Sequence, residues 1–143
     1  MLRAAVIERQ KERRDYNRAA LESLDMDLQV SAFSNLYDFE ENLDEAATSY
    51  DMILLGTTVH QEGDGLREAA DLRARNRRIM LCFLTDSPNY YKEAFDVFAT
   101  GYLLYPYDVS RLHNCVSFFY QKQSTERRSS WMIKETGGSY RRI

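Results

Sequence analysis

This sequence has few cysteines, no long apolar runs and no recognisable leader. Its two cysteines, Cys82 and Cys115, lie in apolar stretches without metal-ligand spacing to another Cys or His, which predicts buried free thiols. The longest apolar runs, 52–55 and 79–84, are far too short for a membrane span. The N-terminus enters an apolar strand without a charged leader or a cleavage site, so we expect a cytoplasmic chain that does not contact a membrane.

Charge is distributed unevenly along the 143 residues. Residues 1–120 carry 13 basic and 20 acidic side chains, a net charge of −7, whereas residues 121–143 carry 6 basic and 2 acidic side chains, a net charge of +4. Because an acidic body repels the phosphate backbone, this pattern argues against nucleic-acid binding by the main domain. The basic tail therefore needs a separate interpretation.

Apolar periodicity alternates between strand and helix along most of the chain. We predict strands over 3–7, 28–33, 51–55, 79–84 and 102–105, and helices over 11–24, 38–48, 65–76, 89–99 and 109–123. Ser87, Pro88 and Asp108 are typical of helix starts, and Gly101 of a helix stop. Five βα units predict a doubly wound α/β fold, in which a five-stranded parallel sheet lies between two layers of helices.

The segment from Phe83-Leu-Thr-Asp86 through Glu93-Ala-Phe-Asp-Val-Phe-Ala-Thr-Gly-Tyr-Leu-Leu-Tyr-Pro-Tyr-Asp-Val-Ser-Arg-Leu112 is the most distinctive in the chain. It is similar to the receivers of LytTR-type transcription regulators, which tend to read EAFEVGAxDYLLKPFDxxRL there. Over residues 2–122 the chain resembles a response-regulator receiver domain, the CheY-like fold. The resemblance implies a flavodoxin-like (βα)5 receiver fold and a role in two-component signal transduction, not an enzyme.

In receivers, two acids after the first strand hold Mg²⁺, and an aspartate at the end of the third strand accepts the phosphoryl group. A hydroxyl after the fourth strand and a lysine after the fifth bind the phosphoryl oxygens. The matching positions here are Glu8 and Arg9, Gly56, Thr85 and Tyr105. Only Glu8 and Thr85 keep the required chemistry, so the resemblance implies no catalytic residue, no cofactor, and Mg²⁺ binding that is lost or weak.

The altered pocket carries two further expectations. A cation at Arg9 would repel a metal about 4 Å away by on the order of 4 kcal/mol per unit of metal charge at an effective dielectric near 20. We therefore expect Arg9 to pair with Glu8 or Asp86 where the metal would be, and an open, uncharged notch above Gly56. The resemblance also places switch residues at Thr85, Tyr102 and Pro106, and the peptide before this proline is usually cis in the family.

Aromatic residues are concentrated in the last third of the chain. In receivers the face made by the fourth helix, the fifth strand and the fifth helix is the usual dimer surface, so we predict a homodimer. The candidate contact residues are Tyr91, Phe95, Tyr107 and Phe118. Phe118 and Phe119 are adjacent, so only one of them can face inward. The alternative is a solvated surface with a few exposed tyrosines.

The chain beyond the domain 1–122 changes character. Residues 123–130 are predicted to be a linker, and residues 131–143 a hairpin that turns at Gly137-Gly138. This hairpin resembles the opening strands of a LytTR DNA-binding domain. Because two strands do not fold alone, we expect the sequence to end just inside a second, DNA-binding domain. A disordered basic tail is the alternative.

Two functions remain open from the sequence. The first is an atypical receiver, without the phosphoacceptor aspartate, that regulates an attached DNA-binding output by phosphorylation-independent dimerisation or partner contact. A histidine kinase or a small-molecule effector would be a further partner. The second is a small-molecule or anion sensor that uses the pocket around Arg9, Gly56 and Thr85. A weaker third hypothesis retains phosphoryl transfer at another residue, such as Thr57, Thr58 or His60.

Overall fold

The computed structural model describes residues 2–41, 50–57 and 64–121. The strands are β1 (Leu2–Ile7), β2 (Leu28–Phe33), β3 (Met52–Thr57), β4 (Met80–Thr85) and β5 (Gly101–Leu104). The helices are α1 (Lys11–Glu22), α2 (Leu36–Glu41), α3 (Asp64–Arg75), α4 (Tyr91–Asp96) and α5 (109–121). Thr58, His60, the linker 123–130 and the hairpin 131–143 lie outside the described residues.

All five strands are parallel and form one sheet in the order β2-β1-β3-β4-β5. This order confirms the predicted doubly wound, flavodoxin-like receiver fold. The order reverses between β1 and β3, the point at which such sheets place their ligand sites. Ile7 aligns with Leu55 across these two strands, so Glu8 and Gly56 follow as neighbours at the carboxyl edge of the sheet.

Helices cover both faces of the sheet, which explains why β4 is buried at every residue, as its continuous apolar sequence predicts. One core lies under α1 and α5, and the other lies under α2, α3 and α4. The first contains Leu21, Leu54, Cys82, Leu112 and Phe119, and the second contains Phe39, Ile53, Leu72, Phe83 and Ala94. Within the described residues, no helix is long and apolar enough to cross a bilayer.

The prediction for α4 was wrong in length. The expected helix over 89–99 is a short 3-10 turn, Pro88–Tyr90, followed by a single α-helical segment that ends at Asp96. Ser87 caps the turn as predicted, since its hydroxyl accepts from the N–H of Asn89 at 3.1 Å. The chain then reverses at Phe98, whose φ of 57° lies in the left-handed region that a bulky side chain rarely adopts.

The prediction for β3 was wrong in the opposite direction, because the observed strand is longer than the predicted one. The strand was expected to end at residue 55, but Gly56 and Thr57 continue it, paired in register with Leu84 and Thr85. Gly56 is therefore held inside a ladder of hydrogen-bonded strands and not in a loop. The expected helix over 38–48 begins two residues earlier as α2, and its part beyond residue 41 lies outside the described residues.

Candidate functional site

Glu8 follows β1 and points into the protein, where it is 1% exposed. Its Oε2 accepts from the N–H of Gln10 at 3.0 Å, whereas Oε1 is buried with no hydrogen-bond partner among the described residues. Burial raises the pKa of the Glu8 carboxyl, and the N–H of Gln10 and the charges of Arg13 and Arg14 oppose that shift. Glu8 is thus a buried acid that is only partly satisfied by its surroundings.

Gly56 leaves the room that Glu8 occupies. A Cβ atom built on Gly56 would overlap Oε1 of Glu8 and lie 2.7 Å from its Cδ, closer than real Cβ atoms approach. The carboxyl group of Glu8 therefore stands where a side chain at position 56 would begin. The predicted open, uncharged notch above Gly56 is wrong, because a carboxyl from the neighbouring strand fills it.

Tyr105 stands at the position where the resemblance implies a lysine. Its backbone N–H donates to the carbonyl of Thr85 at 2.9 Å, and its hydroxyl accepts from the amide of Asn17 at 2.6 Å. The hydroxyl of Tyr107 donates to the same amide at 2.6 Å, and Asn17 is fully buried in α1. Burial raises the pKa of both tyrosines well above the usual range, so both hydroxyls stay neutral. The Tyr105–Pro106 peptide is cis, as expected.

A cation reaches this site from α1 and not from β5. The guanidinium of Arg13 lies 4.3 Å from the centroid of the Tyr105 ring and donates to Asp86 at 3.2 Å. Its Nη1 is buried with no hydrogen-bond partner among the described residues. Arg9 was expected to pair with Glu8 or Asp86, and the pairing of Asp86 with Arg13 was not predicted from the sequence. The signal that could have found it is the place of Arg13 in the first turn of α1, five residues after Glu8.

Two of the three expected switch residues, Thr85 and Tyr102, are bonded to the same residue, Ser87. Thr85 is buried, and its Oγ1 accepts from the N–H of Ser87 at 3.1 Å. The hydroxyl of Tyr102 donates to the carbonyl of Ser87 and accepts from the N–H of Tyr90 at 3.3 Å. The Tyr102 ring also lies 4.2 Å, between centroids, from that of Tyr91. Tyr102 is therefore fixed to the segment that leads into α4.

The residues at this edge do not fit a magnesium ion. Of the expected carboxylate ligands only Glu8 is present, Gly56 offers none, and Asp86 is engaged by Arg13. Mg²⁺ requires several oxygen ligands in near-octahedral geometry, and a guanidinium beside them opposes it. Across the part of the chain that the structure describes, no group of three or more His, Cys, Asp or Glu side chains is placed to hold a metal.

A second candidate site is a set of exposed aromatic side chains, which we call the aromatic face. Its members are Tyr91 (51% exposed), Phe95 (78%), Phe98 (74%) and Phe118 (56%). Three of the four were predicted, but Phe98 was not, because it was assigned to the helix predicted over 89–99, whereas it lies in the left-handed turn beyond α4. Tyr107 was also predicted here, and that is wrong, because it is 7% exposed and bonded to Asn17. Phe119 is buried behind Phe118, as predicted.

Comparison with known proteins gives structural relatives only. No protein-family model and no curated protein matches the sequence. The response regulatory domain of protein mrkE from Klebsiella pneumoniae is similar with a TM-score of 0.74 at 18% identity, covering 87% of this chain and 99% of its own. A response regulator receiver domain protein from Clostridium thermocellum is similar with a TM-score of 0.71 at 15% identity, covering 87% and 98%.

A third structural relative has higher identity. The signal receiver domain of a modulated diguanylate cyclase from Desulfovibrio desulfuricans G20 has a TM-score of 0.70 at 24% identity, covering 88% of this chain and 99% of its own. At these identities, the structural similarity establishes a shared fold alone. The structural neighbours named here are receiver domains, and the fold of this chain is the receiver fold.

Proposed function

We propose that this chain is an atypical response-regulator receiver domain that signals by protein contact without aspartyl phosphorylation. It regulates an attached LytTR-like DNA-binding domain, to which residues 131–143 belong. Dimerisation through the aromatic face transmits the signal, and transcription regulation is the output.

The observation that carries this proposal is the position of Glu8 over Gly56. Phosphoryl transfer to a receiver needs a carboxylate on the third strand and free space in front of it. Here the strand has no side chain at Gly56, and the space holds the carboxyl of a neighbouring strand. The carboxyl of Glu8 thus blocks the site, and a negatively charged phosphoryl group would enter beside this acid.

The charges around Glu8 support the same conclusion. Arg13 reaches this edge from α1, and its guanidinium is stacked on Tyr105 and paired with Asp86. A charge held between a ring and a carboxylate is a structural element, not a free ligand for phosphoryl oxygens. The hypothesis of an anion sensor around Arg9, Gly56 and Thr85 required the open notch, so nothing in the described residues favours it.

The aromatic face supports contact-based signalling. Four large aromatic side chains on α4, the turn after it and α5 are each more than half exposed, although the domain has two well-formed cores that could bury such groups. Exposed aromatic clusters are typical of protein interfaces, where aromatic side chains supply much of the binding energy. Tyr102 connects this face to Thr85 through Ser87, which gives the face a rigid base.

Amide NMR spectra test the loss of phosphorylation. Spectra are recorded with Mg²⁺ alone, and with Mg²⁺ plus beryllofluoride or acetyl phosphate. We expect no specific shifts at Glu8, Gly56 and Thr85 under either condition. Large shifts at these amides that require the phosphate analogue would overturn the phosphorylation-independent mechanism.

Sedimentation velocity tests the dimer at tens of micromolar protein. We expect a dimer that Phe95→Ala converts to monomer, because Phe95 is the most exposed member of the aromatic face. Tyr37→Ala is the matched control, since Tyr37 is 68% exposed on α2, beside the opposite edge of the sheet. A monomeric unmodified protein, or an equal effect of both variants, would contradict dimerisation through this face.

A further inference from the structure

The two cysteines come together although 33 positions separate them in the sequence. Cys82 lies on β4 and is fully buried, and Cys115 lies on α5 and is partly exposed. Cys82 aligns with Gly101 of β5 in the sheet, and α5 packs over this face. Both thiols therefore reach the same point of the core from different layers.

Gly101 leaves the space that the two thiols occupy. A Cβ atom built on Gly101 would lie 2.6 Å from Sγ of Cys115 and 2.9 Å from Sγ of Cys82. Both sulfur atoms therefore fill the volume that a side chain at position 101 would take. Because the two distances of 2.6 and 2.9 Å share one end point, the sulfur atoms lie at most 5.5 Å apart.

We propose that Cys82 and Cys115 form a dithiol site that a small peroxide oxidises reversibly to an intramolecular disulfide. The site is independent of the closed edge at Glu8 and Gly56. The disulfide joins β4 to α5, the helix that carries Phe118 of the aromatic face.

The two thiols differ in a way that assigns their roles. Hydrogen bonding with Cys115 raises the pKa of the Cys82 thiol, and burial raises it further. The same hydrogen bond lowers the pKa of Cys115. Because the thiolate is the nucleophile and Cys115 is the partly exposed member, Cys115 attacks first and Cys82 resolves.

The chemistry balances with peroxide as the oxidant. The Cys115 thiolate attacks one peroxide oxygen, the O–O bond breaks, and a sulfenic acid forms while hydroxide leaves and is protonated to water. The Cys82 sulfur then loses its proton and attacks the sulfur of Cys115. The S–S bond forms, the S–O bond breaks, and a second hydroxide leaves as water. Two thiols give up two electrons and two protons, and one peroxide becomes two waters.

The first experiment treats the whole chain with a small excess of hydrogen peroxide, denatures it and adds a maleimide. Intact mass is expected to show the loss of two hydrogens and no maleimide, and a reductant is expected to restore two labelled thiols. Cys82→Ala and Cys115→Ala are expected to lose this species. Two labelled thiols after peroxide, a disulfide between two chains, or oxygen addition without a disulfide would each overturn the proposal.

The second experiment asks whether the fold brings the sulfur atoms together. The dithiol is equilibrated with reduced and oxidised glutathione, in native buffer and in concentrated urea. We expect the equilibrium constant for the intramolecular disulfide to be at least about tenfold larger in the native chain, because its thiols are already adjacent. An equal or smaller constant in native buffer would show that the fold does not favour the bond, and would overturn the proposal.

Discussion

The carboxyl edge of the sheet and the aromatic face differ in which kinds of side chain they bury and which they expose. At the edge, side chains at positions that the receiver resemblance assigns to ligand binding are turned inward, as Glu8 and Thr85 show. At the aromatic face, apolar groups that a folded domain normally buries are turned outward, as Phe95 and Phe98 show. In the function that we propose, the edge belongs to the scaffold and the exposed aromatic surface contacts partners.

The largest expected effect comes from forcing a side chain into the closed edge. Gly56→Asp should lower the free energy of unfolding by about 3 kcal/mol, because its Cβ overlaps the carboxyl of Glu8 and a second acid is buried beside it. Urea denaturation measures the loss.

A double-mutant cycle makes that result specific. Glu8→Ala combined with Gly56→Asp should recover much of the stability lost in Gly56→Asp alone, since the space is then free. Losses that simply add across the cycle would mean that Glu8 does not fill the space over Gly56.

The next effect tests the base of the aromatic face. Arg73 in α3 donates to the carbonyls of Val97 and Phe98, which fixes the left-handed turn at Phe98, and to that of Ile79. Arg73→Ala should lower the free energy of unfolding by about 2 kcal/mol, because the partly buried carbonyls of Val97 and Ile79 lose a charged donor. Arg75→Ala is the control on the same helix, since its side chain is 53% exposed and it forms an ion pair with Glu40. Equal urea midpoints for the two variants would contradict this role of Arg73.

A smaller effect concerns pH. The pKa of Glu8 is raised in the folded protein above its ordinary value of 4.5, so the folded chain holds this proton more tightly than the unfolded chain. The contribution of Glu8 to stability is therefore complete below the unfolded pKa and is lost as pH rises through the folded pKa. Glu8→Gln should remove that slope and raise stability at neutral pH by about 1 kcal/mol, because no buried charge remains.

Urea denaturation at a series of pH values from acid to neutral measures this linkage. The comparison is between the slopes of the unmodified protein and of Glu8→Gln. Parallel slopes would show that Glu8 does not titrate differently in the two states.

The smallest expected effect on stability is at the aromatic face itself. Phe95→Ala should change the free energy of unfolding of the monomer by less than about 0.5 kcal/mol, because an exposed side chain loses few contacts. Urea denaturation at protein concentrations below dimerisation measures it. A loss comparable to that of a core residue such as Phe39 would mean that Phe95 is part of the scaffold, and the contrast between the two regions would fail.

Prediction from sequence succeeded where local pattern decides the outcome. The five βα units, the buried strand β4, the Ser87 cap and the inward and outward split of Phe119 and Phe118 all follow from periodicity and residue type. It failed where partners are distant in the chain. The length of β3 depends on its pairing with β4, and the end of α4 depends on the turn held by Arg73. Neither contact can be predicted from the residues next to these elements in the sequence.

The candidate site divides in the same way. The sequence by itself determined which groups stand at this edge, since Gly56 brings no side chain, Arg9 a cation and Tyr105 a phenol, and residue identity sets which groups can ionise, bind a metal or accept a phosphoryl group. Only the tertiary structure decided that Glu8 fills the space over Gly56 and that Arg13 covers Tyr105. The physical reason is that side chains from neighbouring strands share the same space at the sheet edge. Packing across the sheet, and not the order of residues along the chain, decides which side chain fills that space.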